Sequence, residues 1–142
     1  MKKQVQLLLF VLLAIPFWGW AQENKKEGTK DSVLLKAEEH MQGRFYKDAI
    51  LNLNIYLENA KAIQKDYAAY LKLLAHYYLD KDQQLIDLAK TFKAKYPQSK
   101  WLVKSRFLLA KTYIRQKNHQ EANNIYEAET KRLLTQKRQE RH

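Results

Sequence analysis

The chain has 142 residues, no cysteine, three glycines, two prolines and a formal net charge of +11. The lack of cysteine excludes disulfides, zinc ribbons, thiol nucleophiles and a lipid anchor on an N-terminal cysteine. The length suits one modest domain with one continuous core, and the scarcity of glycine and proline favours helix. The positive charge favours anionic partners, but it does not determine the fold.

The first stretch, 1–21, has the features of a secretory signal peptide. It has two lysines near its start, an apolar run over 7–18 and small residues before a cleavage site after Ala21. The run is shorter than the roughly 20 residues that span a bilayer, and Pro16 interrupts it, so a retained membrane anchor is only the alternative. We therefore expect an exported protein, periplasmic or extracellular and not lipid-anchored, with a disordered lead-in at 22–30.

The first two predicted helices follow this lead-in. Asp31 or Ser32 can cap the first helix, and Gly43 ends it because glycine accepts the left-handed conformation there. The second helix is predicted from Phe45 to Gln64. Its apolar stripe follows steps of three and four and includes Ala49, Ile50, Leu53, Tyr56, Leu57 and Ala60.

The rest of the chain predicts four more helices joined by short connections, and no stretch alternates as a strand would. Consecutive helices should then pack antiparallel, which gives an all-α chain of three hairpins. The third predicted helix runs from Tyr67 to Leu79, and the fourth runs from an Asp80–Gln83 capping box to Tyr96-Pro97. The fifth runs from Lys100, capped by Ser99, to Gln116. The sixth begins at an Asn118–Glu121 capping pair and continues into a basic tail at 131–142.

One spacing occurs near both ends of the helical region. Ala37 is followed twelve positions later by Ala49, and Ala110 is followed twelve positions later by Ala122. Helices cross closely only where side chains are small, so these alanines predict the contact points, with larger residues filling the space around them. The predicted repeat-packing set is Ala37, Tyr46, Ala49, Leu53, Leu109, Ala110, Tyr113, Ala122 and Tyr126.

This pattern over 31–130 resembles the tetratricopeptide (TPR) repeat, a helical hairpin of about 34 residues. The middle unit, 67–97, is degenerate: Leu74-Ala75 fits its first helix, but Leu85 or Asp87 stands where alanine is expected. Its closing Tyr-Pro-Gln-Ser link is similar to links in exported bacterial repeat proteins, such as the β-barrel assembly lipoprotein and the periplasmic partner of the Tol–Pal system. The resemblance implies a short right-handed solenoid. The missing lipobox cysteine and the presence of three units rather than five are departures from the assembly lipoprotein.

Catalytic and metal-binding patterns are missing from the sequence. With glycine only at positions 19, 28 and 43, no phosphate-binding loop can form, and no histidine pair has the spacing of a metal site. His40 and His119 are interpreted as packing residues at repeat positions. We therefore expect a non-enzymatic protein with no metal or cofactor.

Two groups are candidates for binding. Tyr70, Lys72, His76 and Tyr77 would lie on the third helix, and first helices line the concave face of such an array; the alternative for the tyrosines is a place in the core. The basic tail could bind anionic lipid headgroups or an acidic protein, or could be only a solvated helix end. Its candidate residues are Lys131, Arg132, Lys137 and Arg138.

These features predict an exported protein–protein interaction module of the cell envelope that holds a segment of a partner protein in its groove. The alternative is a basic helical protein that binds an anionic membrane surface or another polyanion. Nucleic acid is not expected as a partner, because it is scarce in that compartment.

Overall fold

The structure is a computed structural model that describes residues 31–140. Helices are the regular secondary structure in this range, which contains no strand. This confirms the all-α prediction. The predicted signal peptide, the lead-in and the last two residues of the tail lie outside the described residues. The helices are α1 (Ser32–Gln42), α2 (Tyr46–Glu58), α3 (Lys65–Tyr78), α4 (Asp82–Lys95), α5 (Leu102–Arg115) and α6 (His119–Gln139).

The connections alternate between two lengths. Three residues join α1 to α2, α3 to α4 and α5 to α6, whereas six residues join α2 to α3 and α4 to α5. Each helix packs against the next, and α3 also contacts α1 and α5. Within the described range, no two Cα atoms within 8 Å join α2 to α4 or α4 to α6. The backbone of α3 therefore lies close to those of α1 and α5, whereas the backbones of α2, α4 and α6 lie farther from one another.

The same hydrogen bonds close all three short turns. At the first turn, the Gly43 amide donates to the Glu39 carbonyl at 2.9 Å, and the Phe45 amide donates to the His40 carbonyl at 2.8 Å. The equivalent bonds recur at the other two turns, a pattern that satisfies the last carbonyls of a helix. Each turn contains one residue with positive φ, and these residues are 36 and 37 positions apart: Arg44 (64°), Asp80 (54°) and Lys117 (60°).

The turns correct two predictions. Gly43 does end α1, but its φ is −73°, and the left-handed residue is Arg44. A Cβ at position 43 would lie 2.7 Å from the ring of Phe45, so this exposed side chain would have to shift to admit one. The Asp80–Gln83 capping box is also wrong: Lys81 is the N-cap residue, because the left-handed turn uses Asp80.

Other helix ends differ from the predictions by a few residues. The second helix ends at Glu58 because the backbone of Asn59 is extended and its side chain accepts a hydrogen bond from the Lys61 amide. Ala60 is therefore outside the helical stripe. The fifth helix begins at Leu102. Just before it, the Ser99 hydroxyl accepts a hydrogen bond from the Trp101 amide at 3.0 Å. The predicted caps at Asp31 and Asn118 are confirmed by hydrogen bonds to the amides of Val33 and Glu121.

The buried apolar residues form two clusters, so the expectation of one continuous core is wrong. The reason is that α3 buries residues on two sides, Ala68 and Leu71 on one and Leu73 on the other. The N-terminal cluster contains Leu34, Ala37, Leu53, Tyr56, Ala68 and Leu71; the C-terminal cluster contains Leu73, Leu85, Ile86, Ala89, Phe92, Leu108, Leu109, Ala110, Ala122 and Ile125.

Counting from the left-handed residues places the middle helix pair in register with the outer two. Leu73 then takes the position of the alanines at the crossing, and Ala75 lies two residues too far along, which corrects the placement of Leu74-Ala75. The contact of α3 with α4 is the least extensive of the three pairs. The equivalent crossing residues, all buried, are Ala37 and Ala49, Leu73 and Leu85, and Ala110 and Ala122.

Candidate functional site

The predicted repeat-packing residues lie at contacts between neighbouring helices. The three tyrosines among them are half-buried, and the rest are buried. Tyr46 stacks on Tyr78 with ring centroids 4.9 Å apart, and Tyr126 stacks on Phe107 at 5.6 Å. The Tyr126–Phe107 stack joins the two helices of the last pair, whereas the Tyr46–Tyr78 stack joins α2 to α3, which belong to neighbouring pairs. Both tyrosines therefore serve packing between helices.

The four candidate binding residues of α3 do not form one surface. Tyr70 stacks on Trp101 at 5.0 Å, and the ring of Tyr77 lies 4.6 Å from the Arg115 guanidinium, so both tyrosines face α5. Lys72 instead lines a cleft with residues of α2 and α4, and His76 lies one helical turn beyond Lys72. The split follows from the roughly 100° rotation per residue, which separates positions 70 and 77 from 72 and 76.

Trp101 is the centre of an aromatic–lysine surface on the odd-numbered helices, formed by Tyr67, Tyr70, Lys100, Trp101 and Lys104. The two tyrosine rings lie 4.9 and 5.0 Å from the indole. The two exposed ammonium groups lie 5.3 and 4.9 Å from its centroid. Sequence analysis gave Trp101 no binding role, although a Lys-Trp-x-x-Lys pattern after a helix-capping serine was a usable signal.

Tyr67 connects this surface to the first helix. Burial, followed by its hydrogen bond with Glu38 and the charge of that carboxylate, raises the pKa of Tyr67 to about 12. At the opposite end of α3 and α5, Arg115 donates to the Tyr77 carbonyl at 3.1 Å and forms ion pairs with Asp80 and Asp82. The stacking of Tyr67 and Tyr70 on Trp101 at one end, and the contacts of Arg115 at the other, therefore hold α5 against α3.

A cleft of about 490 Å³ lies between α2 and α4, with residues of α3 between them. Three lysines and one glutamate line it, and within the described part of the chain no carboxylate oxygen lies within 4.0 Å of these lysine amines. Burial lowers the pKa of the Lys72 amine and nearby Lys95 lowers it further, while Glu58 opposes the shift. The lining residues are Asn54, Leu57, Glu58, Lys65, Ala69, Lys72, Leu88, Thr91, Phe92, Lys95 and Tyr96.

The basic tail continues as helix to Gln139, and its residues 131–140 are exposed. Its four candidate cations are not equivalent. Lys131 and Arg138 flank Leu134 along one shallow groove, whereas Arg132 turns back to the buried carboxylate of Glu129 at 2.9 Å. Arg106 of α5 forms a second ion pair with Glu129. One predicted anion-binding residue is thus already engaged in an internal ion pair.

No group of three His, Asp or Glu side chains that could hold a metal ion occurs among residues 31–140. Over the same residues, no helix combines the length and apolar character needed to cross a bilayer. Comparisons with family models, with curated proteins and with solved structures found no match to this chain.

Proposed function

We propose that the chain is an exported, non-enzymatic protein–protein interaction module of the cell envelope, built as three TPR-like helical pairs in a short right-handed solenoid. The observation that carries the proposal is that α3 has Cα atoms within 8 Å of both α1 and α5, whereas no such pairs join α2 to α4 or α4 to α6. Such an arrangement puts the odd-numbered helices on the inner side of a curved array and the even-numbered helices on its outer side.

The aromatic–lysine surface is the part of that inner side best suited to a partner. Its rings are held by stacking, so binding orders few additional side chains. Lys100 and Lys104 are exposed and add positive charge. An acidic segment with apolar or aromatic side chains matches both properties, because aromatic anchors and complementary charge are what stabilise such contacts.

The test is site-specific photocrosslinking. A photoreactive amino acid replaces Lys104 on α5 in one variant and Lys90, an exposed lysine of α4, in the matched control. Each variant is incubated with an envelope fraction of the source cells. The proposal expects one discrete protein crosslinked at position 104, retained after high-salt washing, and none at position 90. Equal labelling at both positions, or no protein at position 104, contradicts it.

A second candidate function is binding to an anionic membrane surface through α6. The observation that favours it is the alignment of Lys131, Leu134 and Arg138 on one exposed helix face. Co-sedimentation with anionic and with neutral vesicles tests it, using Lys131→Gln/Arg138→Gln against Lys90→Gln/Lys93→Gln as the charge-matched control. This function expects binding only to anionic vesicles, lost with salt and lost in the first variant alone.

A further inference from the structure

The cleft between α2, α3 and α4 is separate from both surfaces described above. No Cα atoms of α2 and α4 lie within 8 Å of each other, and residues of α3 line the cleft between them. It shares no residue with the aromatic–lysine surface or with the groove on α6. A function assigned to the cleft therefore stands or falls independently of partner binding.

The charge of the cleft is unbalanced. Lys65, Lys72 and Lys95 line it against the single carboxylate of Glu58, and none of the three amines has an ion-pair partner within 4.0 Å in the described chain. Lys65 and Lys72 are half-buried and Lys95 is exposed, and burial lowers the pKa of the Lys72 amine. A partly desolvated ammonium without a counterion is costly, and a bound anion would offset that cost.

The remaining wall of the cleft is largely apolar. Leu57 of α2, Ala69 of α3, Leu88 of α4 and Tyr96, the residue after α4, contribute hydrocarbon and ring surface beside the lysines. A small inorganic anion would leave this surface wet, and a purely apolar molecule would leave the amines without a counterion. The volume of about 490 Å³ is within the usual range of about 300–1,000 Å³ for small-ligand sites.

We propose that this cleft binds a small apolar carboxylate of the fatty-acid type. The carboxylate pairs with the Lys72 ammonium, with Lys65 and Lys95 adding positive charge, and the hydrocarbon chain lies along Leu57 and Leu88. Complementarity of both charge and surface type selects this ligand over a neutral alcohol, an amine or a bare anion. The proposal goes beyond the protein-binding function and does not depend on it.

Titration calorimetry with octanoate tests the ligand class directly. Octylammonium has the same chain with the opposite charge, and butanoate has the same head with a shorter chain. Octanoate should bind. Affinity should fall by about fourfold for each methylene removed from the chain, and octylammonium should not bind. No heat with octanoate at millimolar concentration, or equal binding of octylammonium, overturns the proposal.

Two variants locate the site. Lys72→Met keeps most of the side-chain volume but removes the charge, and should weaken octanoate binding by about tenfold or more. Lys90→Met removes an exposed charge from α4 outside the cleft and should change affinity by less than about twofold. Helical circular dichroism and the melting temperature show whether each variant is folded.

A folded Lys72→Met protein that binds octanoate as tightly as the parent overturns the assignment. Amide NMR shifts with octanoate give an independent readout in the unmodified chain. Shifts confined to α2, α3 and α4 support the cleft, and shifts confined to residues 131–140 place the anion on the basic tail and contradict it.

Discussion

The first and middle helix pairs share one turn but cross in different ways. Both turns have the same hydrogen bonds and one left-handed residue. Ala37 meets Ala49 at the first crossing, whereas Leu73 and Leu85 are the equivalent buried residues of the middle pair. The first pair has the most extensive contact of the three, and the middle pair has the least. The backbone turn is therefore set locally, and the side chains at the crossing decide how closely the two helices approach.

The middle pair, whose two helices have the least extensive contact, supplies two of the three helices that line the cleft. A leucine at each crossing position prevents the close approach that alanines permit. In α4 the order of small and large residues is also reversed: Leu85 precedes Ala89, whereas Ala49 precedes Leu53 in α2. The apparent degeneracy of the middle repeat therefore coincides with a cleft that three successive helices line with three lysines.

The largest effect should come from Leu85→Ala, which gives the middle pair the small residue of the outer pairs. Because Leu85 is fully buried and Leu73 remains opposite, α3 and α4 cannot close the gap, and a cavity should remain. We expect the free energy of unfolding to fall by about 2–5 kcal/mol, measured by urea denaturation. The matched control is Leu133→Ala on the exposed end of α6. A loss no greater than in the control would show that the middle crossing does not depend on this leucine.

The reverse change, Ala49→Leu, gives the first pair the large residue of the middle pair. The α1–α2 crossing has no room for the added methylenes because Ala37 and Ala49 are both fully buried. Overpacking should cost about 1–3 kcal/mol of unfolding free energy in the same assay. Ala60→Leu, an exposed position outside the helix, is the size-matched control. If Ala49→Leu were tolerated as well as Ala60→Leu, close helix approach would not explain the alanine.

A smaller effect concerns the turns that the pairs share. Arg44→Gly and Lys117→Gly remove the steric cost of a left-handed side chain and should each raise the unfolding free energy by about 1 kcal/mol. Asp80→Gly should gain less, because it also removes an ion pair with Arg115. Thermal melts of the three variants test this ranking. A larger gain for Asp80→Gly than for the other two would contradict it.

The sequence predicted the helices better than it predicted the surfaces between them. Periodicity gave six helices because apolar spacing is a property of each helix alone. It failed at Gly43 and Asp80, where the identity of the left-handed residue depends on the three-dimensional turn. It also grouped Lys72 with Tyr70, although they lie on different sides of α3. The cleft was beyond prediction, because three separate helices supply its lysines and its apolar wall.

The smallest expected effect is a pH dependence of stability, and it concerns two equivalent histidines, His40 of the first pair and His76 of the middle pair. His40 shares a hydrogen bond with Asn52 at 3.1 Å between Nδ1 and the amide nitrogen. The Nδ1 atom of His76 is buried and has no hydrogen-bond partner within the described chain. Burial lowers the pKa of His76 below its usual value, and the charges of Lys72 and Lys81 lower it further. The neutral ring is therefore favoured in the folded state.

This shift makes the middle pair sensitive to mild acid. Since the folded-state pKa lies below the unfolded value of about 6.5, the unfolded chain binds more protons, and stability falls as pH drops from about 6.5 through the folded-state pKa. Partial solvation of the ring and the protonation of carboxylates below about pH 5 limit the effect to a small window. Urea midpoints of the parent, His76→Gln and exposed His119→Gln at pH 7.5 and 5.5 measure it. The parent and His119→Gln should lose stability between pH 7.5 and 5.5. His76→Gln should lose less, because glutamine cannot take up the proton. An equal loss of stability in all three proteins would show that His76 is not the cause.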